Sequence, residues 1–253
     1  MEKKLEMVKV FNNKYRINYN DSDYTGKLSI PKLGNYILDT AGLHAIELGI
    51  SMQTLAEQGL TWVMSGLHFE FFDMPRVNQE VLVTTKISDC SKIACKRDFI
   101  VTGPNNEKIA EVSSEWLIIN TLTRRPVFLN EVFPGVFDLI ENNEKKIEKY
   151  KHLRFSIQNP KMSATRKITY SFIDINTHLY SMKYLEMTLD MFDLDFFKNN
   201  KIKKADVNFI KEVLYNQQIE INMQNPEPEI FQTEMTVEGK CVFRAEFETS
   251  RII

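Results

Sequence analysis

The stretch Ile168–Asp190, ITYSFIDINTHLYSMKYLEMTLD, decides how the rest of the chain is read, because it has a counterpart earlier in the sequence. Laid without gaps at an offset of 151, it covers Ile17–Asp39, INYNDSDYTGKLSIPKLGNYILD. Identities fall at Ile17/Ile168, Tyr19/Tyr170, Asp23/Asp174, Leu28/Leu179, Lys32/Lys183, Leu38/Leu189 and Asp39/Asp190, seven of 23 positions. Ordinary composition would give about one or two. Each copy opens on a short alternating strand, KYRINY or RKITYSF, and passes through a polar loop. Apolar residues at helical spacing follow: Leu33, Ile37, Leu38, Leu43, Ile46 and Leu48 in the first copy, Leu179, Met182, Leu185, Leu189 and Phe192 in the second.

Beyond the helical segment the first copy reads as strands, LTWVMSGLHFEFF, QEVLVTTKISDCS, KIACKRDFIVTG and KIAEVSSEWLIIN, separated by turn residues such as Pro75, Asn78 and Gly103-Pro104-Asn105-Asn106. The second continues with DVNFIKEVLYN, QQIEINMQN, EIFQTEMTVEG and KCVFRAEFETS. One helix followed by antiparallel strands, stated twice, predicts an α+β architecture in which a sheet curls around its helix. The expected organisation is an N-terminal domain over residues 1–135, a linker over 136–163 and a C-terminal domain over 164–253. The linker carries the charge-rich run ENNEKKIEKYKH, expected as a solvated helix or exposed connector.

Composition narrows the class. The 253 residues are 43% hydrophobic and 11% aromatic, enough to bury a substantial core without staples. A formal charge of −2 gives no basic face for nucleic acid. Cys90, Cys95 and Cys241 form no CxxC pair, which argues against a disulfide framework or a zinc site and fits a reducing compartment. Cys90 and Cys95, five apart, are expected on opposite faces of one strand as small buried side chains. The opening MEKKLEMVKVFNNKYRI has neither the apolar stretch of a secretory signal nor the composition of a transit peptide. No run approaches the ~18 apolar residues of a membrane span, so the expectation is a soluble, cytoplasmic protein.

The two copies diverge where the loop leads into the helix. The second reads Asp174-Ile175-Asn176-Thr177-His178, the first Asp23-Tyr24-Thr25-Gly26-Lys27, so an amide and an imidazole face a threonine and a lysine. A site is therefore expected in the second half. His178 can accept and return a proton near neutrality, Asn176 can hold water or a carbonyl without charge, and a helix N-terminus favours a developing oxyanion. The plainer alternative is that Asp174 and Asn176 cap the helix and His178 is an ordinary half-buried residue.

With these residues in view, the sequence resembles the acyl-acyl carrier protein thioesterases, the group of plant plastid enzymes and their bacterial relatives. Their second-half signature D-x-N-x-H, then V-N-N-x-K-Y, is matched by Asp174-Ile-Asn176-Thr-His178-Leu-Tyr-Ser-Met-Lys183-Tyr184. A later Y-R-R-E-C strand is matched by Phe209-Ile-Lys211-Glu212-Val213. LTWVMSGLHFEFFDMPRVNQEVLVTT, KRDF at 96–99, SSEWLIIN at 113–120 and TRRP at 123–126 resemble first-half segments, and the likeness runs from about Tyr15 to Phe247. It implies a double hot-dog fold, each half a long helix wrapped by an antiparallel sheet. It also implies catalytic roles for Asp174, Asn176, His178 and Glu212, no cofactor or metal, and acyl carrier protein with its phosphopantetheine-linked acyl chain as partner. A fused pair of hot-dog units fits a monomer or a homodimer.

Two departures bear on mechanism. Leu-Tyr-Ser replaces V-N-N after the histidine, and Val213 stands where many relatives have cysteine. A cysteine nucleophile is thus ruled out there. What remains is a water activated by Glu212 and His178, or direct attack by Glu212, with Asn176 and backbone amides holding the thioester oxygen and Asp174 orienting its neighbours.

Other residues divide between site and scaffold. Trp62 and Trp116 are expected in the core or tunnel wall, and Met52, Met64, Met74, Phe69, Phe71 and Phe72 either line an acyl pocket or pack between strands. Lys96, Arg97, Arg124 and Arg125 would suit docking of an acidic carrier, with solvated surface charge the simpler reading of each. His44, His68 and His152 read as structural. The competing functions are an acyl-coenzyme A thioesterase or a hydratase on the same scaffold, and a non-catalytic acyl-binding module.

Overall fold

The computed structural model describes residues 7–140 and 147–252. It divides into two units, residues 1–65 with 72–149 and residues 66–71 with 150–253.

The first unit begins with strand β1 (Val10–Arg16) and helix α1 (Ile30–Glu47). Pro31 sits in the first turn of α1, where its missing N–H costs no hydrogen bond. Leu33, Ile37, Thr40, Ala41 and His44 recur on the buried face, which packs on the sheet. Leu43 and Ile46, expected with the apolar stripe, lie instead on the outer side and are 40% and 59% exposed. Gly49, at φ +73, closes the helix, its neighbour Ile50 donating to the Ala45 carbonyl at 2.9 Å. A short helix α2 (Met52–Ala56) leads into β2 (Leu60–Phe71), then β3 (Glu80–Cys90), β4 (Ala94–Thr102) and β5 (Lys108–Asn120). The strands run in the order β1-β3-β4-β5-β2, with antiparallel β1–β3, β3–β4 and β4–β5 pairs. Alternation drives this: Val81, Val83, Thr85 and Ile87 of β3 face inward while their neighbours face out. A helical turn, α3 (Leu129–Val132), closes the unit and buries Leu129 beside Phe133, Val136, Leu139, Ile118 and Leu55. Fully burying one such aliphatic side chain contributes about 1.5–3 kcal/mol.

The second unit repeats the plan: β6 (Met162–Lys167), α4 (Ser181–Leu189), α5 (Leu194–Asn199), β7 (Asn200–Phe209), β8 (Gln218–Glu227), β9 (Ile230–Val237) and β10 (Lys240–Arg251). Its strands run β7-β10-β9-β8-β6, and Gly66–Glu70 of β2 pairs antiparallel with β7. Its helix is shorter than the family likeness implies, nine residues in α4 against 18 in α1, with α5 following after a break. The strand expected over 206–216 is displaced to Asn200–Phe209, so Glu212 lies in the loop beyond it.

Two expectations need correcting. Cys90 and Cys95 are not thiols on opposite faces of one strand. The turn at Ser91–Ile93 reverses the chain, sets them opposite one another across the β3–β4 hairpin with Cα atoms 4.2 Å apart, and a disulfide joins them. Nor is the connector exposed throughout. Val136 and Leu139 belong to the first unit's core, and Ile147, Tyr150, Leu153 and Ile157 are buried. From Lys151 onward the connector's backbone is bound by side chains of the second unit. Lys151 and Leu153 donate to the carboxylate of Asp206 and the carboxamide oxygen of Asn208, at 2.9 and 2.8 Å. Residues 141–146 of the charge-rich run lie outside the described residues, as do the first six. No helix of the described residues is long and apolar enough to cross a membrane.

Candidate active site

The site loop is built by hydrogen bonds to one carboxylate. Asp174 Oδ1 accepts from the backbone N–H groups of Asn176 at 2.9 Å and His178 at 3.3 Å. The Asp174 N–H donates to the His178 carbonyl at 2.9 Å, and the Thr177 N–H to the Asp174 carbonyl at 3.0 Å. This closes a five-residue turn and forces Thr177 to φ +64, a left-handed conformation that β-branched residues seldom take. Asp174 therefore orients the backbone of the loop, and among the described residues its carboxylate reaches no other side chain. It does not cap α4 either, whose N-cap is Tyr180, making no side-chain bond to the first-turn amides.

A second segment is laced to this loop. The Leu179 N–H donates to the Val213 carbonyl at 2.8 Å, and His178 and Leu214 form an isolated antiparallel bridge. Asn216 and Ile168 are joined by a further backbone bond at 2.9 Å, Asn216 standing at φ +69. The lacing sets His178 Nε2 3.3 Å from Glu212 Oε2, the two side chains being 25% and 36% exposed. Val213 is fully buried, so the position beside Glu212 offers the site neither a thiol nor any other reactive group. The structure thus joins His178 to Glu212 directly and holds Asn176 on the same turn, its side chain exposed. An imidazole and a carboxylate at this spacing, both reachable by solvent, can share and pass a proton.

Several residues singled out from the sequence fall elsewhere. Arg97, weighed above as a docking or surface charge, is only 6% exposed and donates to His44 Nδ1 at 2.7 Å. Burial, reinforced by that guanidinium, pushes the His44 imidazole down to about 4, and burial lowers Arg97 to about 10. Buried His68 pairs with Asp206 at 3.0 Å, so both histidines are structural as expected. Trp62 Nε1 bonds the Ile50 carbonyl at the edge of the first unit's core. Met52 and Phe72 are exposed, whereas Met64, Phe69 and Phe71 are buried.

Two features of the site lie outside the sequence expectations. The lacing segment is itself repeated, Pro75-Arg76-Val77-Asn78-Gln79 matching Val213-Leu214-Tyr215-Asn216-Gln217 at an offset of 138, and the paired Asn-Gln was the available signal. Tyr184, quoted only as part of a motif, approaches the loop carrying Glu212, its hydroxyl 3.5 Å from the Lys211 carbonyl.

Comparison with known proteins agrees with the fold. The family model described as the acyl-ACP thioesterase N-terminal domain matches residues 8–134, and that of the C-terminal domain matches residues 157–249. A crystal structure of an acyl-ACP thioesterase from Bacteroides thetaiotaomicron is 27% identical with a TM-score of 0.88, over 95% of this chain and 98% of that one. The 12:0-ACP thioesterase from Umbellularia californica, 18% identical, shares the fold with a TM-score of 0.86 over 96% of this chain and 98% of that one. An oleoyl-acyl carrier protein thioesterase of Coriandrum sativum chloroplasts is 20% identical over 79% of this chain and 58% of its own length. A palmitoyl-acyl carrier protein thioesterase of Arabidopsis thaliana chloroplasts is 23% identical over 80% of this chain and 52% of its own. The chain spans little more than half the length of these curated relatives.

Proposed function

The chain belongs to the acyl-ACP thioesterase family, and on that premise we propose that it hydrolyses the thioester of fatty acyl chains carried on acyl carrier protein, with Asp174, Asn176, His178 and Glu212 as its site. The observation that carries this reading is the 3.3 Å approach of His178 Nε2 to Glu212 Oε2, made by two segments that their backbones lock together.

In the proposed reaction a water adds to the thioester carbonyl carbon while its proton passes to the Glu212–His178 pair. The tetrahedral oxyanion is met by the Asn176 carboxamide and by backbone amides near the start of α4. Collapse breaks the carbon–sulfur bond, the pantetheine sulfur takes the proton back, and free fatty acid and carrier thiol leave. With Val213 beside Glu212, no cysteine serves as nucleophile at that position. Activated water is favoured over attack by Glu212 because Glu212 already engages the imidazole that would deprotonate the water.

The test is thiol release from a panel of acyl-acyl carrier protein and acyl-coenzyme A thioesters. His178→Ala and Glu212→Ala should each lower kcat by about 10²–10⁴-fold on carrier-protein substrates, the usual worth of a positioned acid or base. Wild-type rates in both variants would sink the site. Turnover of coenzyme A esters alone would move the substrate to that carrier.

A further inference from the structure

We propose that Tyr184 is a positioning residue for Glu212, a reading that rests on the proposed thioesterase site. Glu212 lies in a loop and not on a strand, so besides its pairing with His178 its place depends on what holds its two neighbours. Val213 is fixed by its carbonyl, which accepts from Leu179 N–H at 2.8 Å, and by complete burial. Lys211 is fixed on one side by its N–H, which donates to the Val242 carbonyl at 3.1 Å. The carbonyl of Lys211, one peptide before Glu212, faces the Tyr184 hydroxyl at 3.5 Å. This bond is made by a side chain, whereas the Leu179–Val213 and Lys211–Val242 bonds are made by backbone groups.

Tyr184 is built to stay where it is. It is 4% exposed, stacks on Phe243 with ring centroids 5.1 Å apart, and meets Phe209 edge-on at 5.8 Å. Burial raises its hydroxyl far above the ordinary tyrosine value, a hydrogen bond with the Val213 backbone opposes the rise, and the charges of Glu212 and Asp174 add to it, so it stays a neutral donor.

The repeat supplies an internal control. Under the 151-residue offset Tyr184 corresponds to Leu33 of α1, and under the 138-residue offset Glu212 corresponds to Met74. Two backbone fastenings of this segment occur in both copies: Leu28 donates to the Pro75 carbonyl as Leu179 does to that of Val213, and Phe72 to that of Ile109 as Ile210 does to that of Val242. At this aligned position the hydroxyl is present in the copy that carries Glu212 and absent from the copy that carries Met74. A purely packing role would be met by leucine, as Leu33 meets it in the first unit's core.

Tyr184→Phe keeps the ring and removes the donor, so it separates positioning from packing. Steady-state thiol release should show kcat lowered about 3- to 10-fold with KM within about twofold, the scale of one lost hydrogen bond, and a thermal midpoint lowered by no more than a few degrees. Tyr184→Leu should lose at least as much. A Tyr184→Phe enzyme with wild-type kcat, while Glu212→Ala is inactive, overturns this inference alone, as does a loss that appears only in KM. A wild type that releases no thiol, or a Glu212→Ala enzyme as fast as wild type, overturns the proposed site and this inference with it.

Discussion

The loop at Asp23–Leu28 and the loop at Asp174–Leu179 share one backbone and differ in what it carries. In both, the aspartate N–H bonds the carbonyl four residues on (2.7 and 2.9 Å), and its Oδ1 accepts from the N–H groups two and four residues on. Both are laced to a second segment, by Leu28 to Pro75 and Leu179 to Val213, and by Asn78 to Ile17 and Asn216 to Ile168. The chemistry sits in a few side chains. Where the second loop sets His178 against Glu212, the first has Lys27, Met74 and an ion pair from Lys27 to Asp73 at 3.1 Å. The comparison teaches that the aspartate shapes the turn in both copies and that the copies differ in what the turn presents, a histidine–glutamate pair in the second only.

The sharpest way to break that comparison is to remove the aspartate from each loop. Asp174→Ala and Asp23→Ala both strip a carboxylate from two backbone amides, so each should lose about 1–2 kcal/mol of stability in urea unfolding. Their activities should part company. Asp174→Ala lets the His178 backbone drift and should cost about 10²-fold in kcat, the scale of a 1 Å misplacement, whereas Asp23→Ala should stay within about twofold. Equal losses of activity would mean that the first loop is not merely a scaffold.

A second contrast concerns imidazoles. His178 is partly open to solvent, while His44 is sealed in the first unit, donating from Nε2 to the Val8 carbonyl and accepting at Nδ1 from Arg97. Its folded pKa of about 4 lies below the unfolded value of about 6.5. Between those values the unfolded chain binds the extra proton, so stability falls as pH drops from about 6.5 to about 4 and levels off below. The loss is roughly 3 kcal/mol at most. Urea midpoints across this range should show a slope that His44→Gln flattens; an unchanged slope would assign the pH dependence to other groups.

Much of the fold was legible because the repeat imposes two constraints on each position. Asp23 and Asp174 align, and a shared turn beside a changed pair, Thr25/Asn176 and Lys27/His178, singled out the second half as the place of the candidate site. Strand positions such as Glu80–Cys90 follow directly from alternation between turn residues. Arg97 was misread because charge alone says surface, and only the fold reveals a neutral imidazole waiting as acceptor beneath it. Cys90 and Cys95 were misread because one strand was assumed to run through a three-residue turn. Tyr184 was missed because helical periodicity makes an aromatic residue and a leucine equivalent, and a hydroxyl's partner 27 residues away has no local signature.

The left-handed position in each turn gives a smaller test. Gly26 stands at φ +74 and Thr177 at φ +64, so the same conformation is relaxed in one loop and strained in the other. Thr177→Gly should raise stability by about 1 kcal/mol, and Gly26→Thr should lower it by a similar amount. A Thr177→Gly protein less stable than wild type would show that the threonine side chain supports the loop and outweighs its strain.

The smallest effect is expected where the first copy appears most site-like. Lys27 and Asp73 form an ion pair in the place of the histidine–glutamate pair, but their side chains are 36% and 80% exposed. At that exposure solvent screens the attraction and the entropy of holding two mobile side chains offsets much of what remains. Asp73→Asn should therefore change stability by no more than about 0.5 kcal/mol and leave kcat and KM at wild-type values. The bonds from backbone N–H groups to the Asp23 carboxylate and the Leu28–Pro75 bond, which shape the loop, do not use the side chains of the pair. A fall in kcat on making Asp73→Asn would mean that the first copy's charges act on the reaction, and the division into a working loop and a structural one would have to be abandoned.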